Sequence, residues 1–238
     1  MKNKNEQTMD YNFFSIETTG VNHTDKIVKV TINDGAIHTW LINPDMPIPP
    51  DATLRHGITD DMVAGYPRFG EVVKDILTYF DKPLCGWGIK SFDIPTFVRE
   101  CEACGFGVKV PKVIDLKIVF ENVCRSFNSS DALNRFTGGT EYMDDASACP
   151  LLMPYLVEAA GGMASVEDMC CKGRIDFYGL FVRKDDGVCV NIGKYKGKKY
   201  DEVPLSFYEW VVEKSGMPTE TKAYAKRIIS AAQKGGER

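Results

Sequence analysis

Phe13-Phe14-Ser15-Ile16-Glu17-Thr18-Thr19-Gly20 constrains this chain more than any other stretch. It is an apolar run that ends in a carboxylate, two hydroxyls and a glycine. A buried strand has this form where it delivers polar groups to a site at its end. Glu17 is the first acid preceded directly by such a strand. If later acids converge on it, the site they form suits a metal ion.

The residues after Gly20 predict an α/β fold. Residues 26–32 and 36–42 read as strands around the tight-turn pair Asp34-Gly35. Residues 44–50 form a proline-punctuated loop. Phe69, Val72, Val73, Ile76, Leu77 and Phe80 recur at helical spacing, so residues 67–80 read as an amphipathic helix with Pro67 in its first turn. Strands at 83–87 and 111–114 then alternate with helices at 92–104 and 116–124. A further helix covers 144–160, with kinks expected at Pro150 and Pro154. The pattern is an antiparallel opening meander followed by β/α units, a mixed sheet flanked by helices.

Gly161-Gly162 reads as the end of this domain, which spans 11–162 after a flexible start at 1–10. A small α+β domain is expected over 172–238. Its hairpin pairs 177–182 with 188–192 around Asp185-Asp186-Gly187, and helices come next at 206–214 and 220–232. On the first of these helices, Trp210 is expected in the core with Phe207, Tyr208 and Val211.

The 238 residues leave room for one sizeable domain and a small second one. A hydrophobic fraction of 44% and a charged fraction of 26% are those of a soluble globular protein. The apolar runs fall well short of the roughly 20 residues a membrane span needs. Residues 1–7 lack the apolar core of a secretory signal, so the expected location is the cytoplasm. Of the eight cysteines, only Cys101 and Cys104 have metal-like spacing. No second pair completes a zinc site, and both are expected as buried free thiols.

The net charge of −4 is unevenly spread. Residues 172–238 carry 14 basic and 9 acidic side chains, while the rest carries 15 and 24. An acidic body with a basic tail points to a polyanionic partner reached through the tail. Lys194, Lys196, Lys198 and Lys199, interleaved with Tyr195, Tyr200 and two glycines, suit phosphate contact with base stacking. A solvated lysine-rich turn would look the same.

Asp93 and Asp145 each open a predicted helix, which aspartate does well as a cap alone. Joined to Glu17, they could hold a pair of divalent ions roughly 3.5–4 Å apart at a phosphodiester. Taken in order, Phe13 with Glu17-Thr18-Thr19-Gly20, Asn43-Pro44, His56-Gly57-Ile58-Thr59, Phe92-Asp93 and Asp145-Ala146 resemble the proofreading (DnaQ-like) 3′–5′ exonucleases of the DEDD superfamily. The resemblance covers about residues 11–160. It implies a ribonuclease H-like fold and Mg²⁺ or Mn²⁺ as cofactors, with Glu17, Asp93 and Asp145 as catalytic metal ligands. The implied reaction is two-metal hydrolysis at single-stranded 3′ ends of DNA or RNA, with Thr18, Thr19 and Gly20 beside the terminal nucleotide.

The departures fall on chemistry. The family carries aspartate, a ligand shared by both metals, where this chain has Ser15. Its general-base histidine is Thr140 here, and Glu141 stands where a sister subfamily has tyrosine. Ile89 replaces a frequent asparagine. Hydrolysis is therefore expected to be impaired. The alternatives are an inactive pseudo-exonuclease that binds nucleic-acid ends, or an adaptor in a replication or repair complex. Gly193-Lys194-x-Lys196-Gly197-Lys198, Val203-Pro204 and Tyr208-Glu209-Trp210 resemble the C-terminal module of exonuclease X-type proteins. His23 and His56 stand singly in loops and are not expected as ligands.

Overall fold

The computed structural model describes residues 10–124, 144–171, 174–176, 178–184, 187–213, 215, 217 and 219–235. The described residues divide into two compact units, one of residues 10–21 and 25–170, the other of residues 22–24 and those from 171 on. In the first, β1 (Asn12–Thr18), β2 (Ile27–Asn33), β3 (Ile37–Leu41), β4 (Leu84–Gly86) and β5 (Val113–Asp115) form one sheet in the order β3-β2-β1-β4-β5. The first three strands are antiparallel, and β4 and β5 add in parallel. This is the mixed sheet predicted from the sequence.

Because strand side chains alternate, β1 serves two layers. Phe14 points to one face, where it meets the rings of Phe80 and Phe97 edge-on at 5.7 and 5.4 Å. That layer is closed by α3 (Phe69–Leu77) and α4 (Asp93–Ala103), with Phe69 against Phe97 at 5.3 Å. Burying each such ring contributes ~1.5–3 kcal/mol. Phe13 joins the opposite layer with Phe120 and Val119 of α5 (Leu116–Cys124) and Cys149 and Leu152 of α6 (Asp145–Ala160). Two short helices, α1 (Pro50–His56) and α2 (Asp60–Val63), cover Val28 with Ile48, Ala52, Ile58 and Val63.

Three details differ from expectation. Pro67 lies outside the first turn of α3, because the helix starts at Phe69 with Arg68 as its N-cap and Glu71 accepting from the Arg68 N–H. A helix not foreseen, α7 (Met163–Cys171), comes after Gly161, which caps α6 in the left-handed region. Cys101 is a buried thiol pushed up to about 12 by burial and by Cys104, but Cys104 itself is exposed at the end of α4.

Gly86 of β4 has no room for a side chain. A Cβ there would stand 2.7 Å from the Phe14 carbonyl oxygen and 3.0 Å from Ile89 Cβ. Gly86→Ala is expected to cost ~2–3 kcal/mol through forced backbone movement, read as a lower urea midpoint at unchanged m-value.

The second unit holds the hairpin β6 (Phe181–Lys184) and β7 (Gly187–Val190), then α8 (Leu205–Glu213) and α9 (Thr219–Gly235). Its core gathers Leu180, Phe181, Val190, Val203, Tyr208, Val211 and Ala225. The first strand starts later than predicted. Buried Asp176 accepts from the N–H groups of Leu180 and Phe181, and Gly179 turns the chain at φ 79°. Trp210 lies outside this core, 44% exposed, correcting the expectation for it.

Candidate active site

One face of the β1–β2 ladder is polar. Ser15 pairs with Thr31 and Glu17 with Lys29, and directly paired residues share a face. The N-terminus of α6 is fastened onto it by side chains. Asp144 is the N-cap and accepts from Ser147 N at 3.0 Å. Its other oxygen accepts from Lys29 Nζ at 2.9 Å and Thr31 Oγ1 at 3.4 Å. The buried Ser15 Oγ accepts from Ala146 N at 3.3 Å. Two of the N–H groups that a helix start leaves open are thereby satisfied from β1 and the cap. Asp145 is carried to Glu17 as a result.

Asp93 enters from the other edge of β1. Pairing with β4 stops at Phe13, so the Ile16 N–H lacks a strand partner there and donates to Asp93 Oδ1 at 3.0 Å. Burial, then the charge of Asp145, holds the Asp93 carboxyl well above the usual range, against the lowering effect of that N–H. Burial, then Glu17, Asp144 and Asp115, pushes Asp145 up to about 7. Asp93 thus feels Asp145, and Asp145 feels Glu17. Asp145 is the link between the other two acids near the end of β1.

The segment after Glu17 is a tight turn. Thr18 Oγ1 donates to Gly20 O at 2.6 Å, and Thr19 Oγ1 accepts from Lys26 N and donates to Asp25 Oδ1 at 3.3 Å. Both hydroxyls are buried, and a Cβ at Gly20 would collide with Asp25. Thr140 and Glu141 lie outside the described residues. Lys194, Lys196 and Lys198 are exposed on the second unit, with Lys199 half-buried beside them.

Asp115, not singled out in the sequence, and His56, expected in a loop but found as the last residue of α1, shape this site. Asp115 ends β5, almost fully buried, and accepts from Gly88 N, Lys90 N and Lys117 N at 2.9–3.1 Å. It therefore sets the loop that leads into Asp93. An acid closing an apolar run, as Glu17 does, was the available signal. His56 accepts from Ile58 N at Nδ1, which leaves Nε2 as the donor to Thr18 O at 3.2 Å. A ring that accepts at Nδ1 is neutral, and it clamps the end of β1, with burial lowering its pKa against the charge of Glu17. Gly57, right after it in the left-handed region, closes α1.

Residues 13–148 match the model of the RNase T exonuclease family. The chain belongs to that family. It is 33% identical over 109 residues to the DNA polymerase III epsilon subunit of Treponema pallidum, covering 43% of this chain and 51% of that protein. It is 35% identical over 71 residues to the uncharacterized exonuclease CP81 of Escherichia phage 186, covering 29% and 37%. The matched stretches span about half or less of these relatives. Among solved structures, exonuclease X in complex with 5′ overhanging duplex DNA aligns with a TM-score of 0.50, 21% identity and coverage of 67% of this chain and 98% of that one. Product-bound exonuclease I aligns at 0.54, 17% identity, 66% and 45%. These last two establish the ribonuclease H-like exonuclease fold of the first unit.

Exonucleases of this kind use divalent metal ions. In this RNase T-family chain the described residues meet that requirement incompletely. The repulsion that Asp145 shares with Glu17 and with Asp93 would be relieved by a cation. Yet no three His, Cys, Asp or Glu side chains among the described residues are grouped to hold a metal ion. Ser15 brings no charge to the ladder and its oxygen faces the Ala146 N–H, while Lys29 places an ammonium on the same face. Among the described residues, the Ser15 position offers no carboxylate for two ions to share.

Proposed function

We propose that this chain acts on single-stranded 3′ ends of nucleic acid, with the family's hydrolytic step strongly impaired. The observation that carries the reading is Ser15. Where the family resemblance calls for a bridging carboxylate, a buried neutral hydroxyl is committed to the helix N-terminus above it. Mg²⁺ and Mn²⁺ are oxygen-seeking ions whose affinity depends on the count of charged ligands. Removing one leaves Glu17, Asp93 and Asp145 to bind ions weakly. Thr140 in place of a base near neutrality lowers the rate by a further ~10²–10⁴-fold.

DNA is the favoured polymer, RNA the less favoured one, because the solved structures resembling the first unit include complexes with DNA. The match to polymerase III epsilon subunits supports work within a replication or repair complex in the cytoplasm. Lys29 favours a second reading. An ammonium fixed 2.9 Å from Asp144, cross-strand from Glu17, supplies the acid cluster with part of the counter-charge a metal would bring. On that reading the chain holds 3′ ends without cutting them.

A 5′-labelled single-stranded oligonucleotide with Mg²⁺ or Mn²⁺ separates the two. Slow metal-dependent shortening from the 3′ end, abolished by Asp145→Ala, is the expected result. Binding with no shortening by the parent at any metal concentration establishes the second reading. Failure to bind any single strand overturns both.

A further inference from the structure

We propose that the second unit carries a base-stacking strip for single-stranded nucleic acid, formed by Tyr195, Phe207 and Trp210 and flanked by Lys194, Lys196 and Lys198. It rests on the reading that the ligand is a single strand, and it places a second contact surface outside the acid cluster.

The fully buried side chains of α8 are Tyr208 and Val211, three residues apart, with Phe207 and, from the preceding loop, Tyr195 packed half-buried against that core. Tyr208 is fully buried and its hydroxyl donates to Tyr200 O at 2.6 Å. Phe207 and Trp210 form the adjoining stripe, also three apart and so side by side on the helix. Their rings stack with centroids 6.0 Å apart and 26° between planes. Tyr195 meets Phe207 edge-on at 5.0 Å, and Lys194 Nζ stands 5.0 Å above the Tyr195 ring. Cation, tyrosine, phenylalanine and tryptophan therefore run in continuous contact. Trp210, at the outer end, keeps 44% of its surface in water. The core does not need that ring, and its exposed surface costs solvation free energy.

The lysines are presented by a built loop. Gly197 N donates to Val190 O at 2.7 Å and Val190 N to Lys198 O at 2.9 Å, so the loop returns along β7. Lys196 N donates to Gly193 O and Lys198 N to Tyr195 O, closing two turns. Gly193 and Gly197 sit at φ 54° and 88°, where a side chain would strain the backbone. Lys194, Lys196 and Lys198 are exposed on this loop, with Lys194 over the Tyr195 ring. Glu213, one turn beyond Trp210, bounds the strip with a like-signed charge for phosphate. Cations that follow a backbone next to π-faces that accept any base are how proteins hold single strands without sequence preference.

Binding of an oligothymidylate and of inorganic polyphosphate, each across a salt series and with metal chelated, tests the strip. Trp210→Ala is expected to weaken oligothymidylate binding about tenfold while leaving the salt slope unchanged. Trp210→Phe keeps most of the affinity, and polyphosphate, which has no bases, binds both variants like the parent. Joint replacement of Lys194, Lys196 and Lys198 by glutamine lowers the salt slope for both polymers, by about 2 for the oligothymidylate. Oligothymidylate binding by Trp210→Ala within about twofold of the parent overturns the strip. Equal loss toward polyphosphate does the same, since it reports damage to the unit rather than lost stacking. A parent that binds polyphosphate but no oligothymidylate overturns the single-strand reading itself, and the strip falls with it.

Discussion

Asp115→Leu is expected to destabilise the first unit by ~3–5 kcal/mol, among the largest losses a single substitution there can cause. The carboxylate accepts from three backbone N–H groups, those of Gly88, Lys90 and Lys117. Leucine is close in size but accepts nothing, so these donors stay buried without a partner at ~1–3 kcal/mol each. Relief of burying a carboxylate offsets part of the sum. Asp115→Asn keeps an acceptor oxygen and should lose about half as much. In a domain of this size the leucine variant should melt roughly 10 °C lower. The loop from Gly88 to Phe92 then no longer holds Asp93 against Ile16 N, so strand-end binding should weaken together with stability. Differential scanning calorimetry and an oligonucleotide titration read the two effects. Leucine and asparagine variants melting within a degree of the parent would mean the loop is held by other contacts.

Legibility in the sequence tracked periodicity closely. The opening meander was readable because an apolar run from Phe13 closes on Glu17, and because Asp34-Gly35 fits a tight turn between two strand-like runs. α3 was readable because Phe69, Val73 and Ile76 repeat on one buried face. α7 was not, since its buried residues are limited to Val166 and Cys170 and it comes after two glycines that resemble a linker. Trp210 was misplaced for a related reason. α8 has two adjoining apolar stripes, and spacing alone does not say which faces inward. The three site acids were recognisable by order and context. Their mutual influence, visible in the raised pKa values of Asp93 and Asp145, depends on α6 being pinned by Ser15 and Asp144. Asp115 escaped notice because an acid at a strand end looks alike whether it caps a helix or gathers a loop.

Ser15→Asp should turn a protein that binds metal weakly into one that binds it firmly. The residue is 5% exposed, and its face of the ladder already bears Glu17, with Asp145 brought beside it. A fourth carboxylate there repels its neighbours, so with chelator present the variant should lose ~1–3 kcal/mol of stability. Added Mn²⁺ should restore that loss and exceed it, because an ion bound by the folded state alone stabilises by about 2.7 kcal/mol at a hundred times its dissociation constant. The parent, with a hydroxyl at this position and Lys29 nearby, should shift little under the same addition. Ser15→Asn is the control of matching size without charge, expected to respond to Mn²⁺ no more than the parent does. Shortening of a single strand should rise ~10²-fold in the aspartate variant, equivalent to about 2.7 kcal/mol of barrier. The missing base at Thr140 keeps the rate below that of a complete site. Thermal melts with and without Mn²⁺ decide the matter before any assay of cleavage. Identical melting of Ser15→Asp in chelator and in excess Mn²⁺ would show that the ladder face cannot accept an ion at all, leaving end-binding as the site's sole capacity.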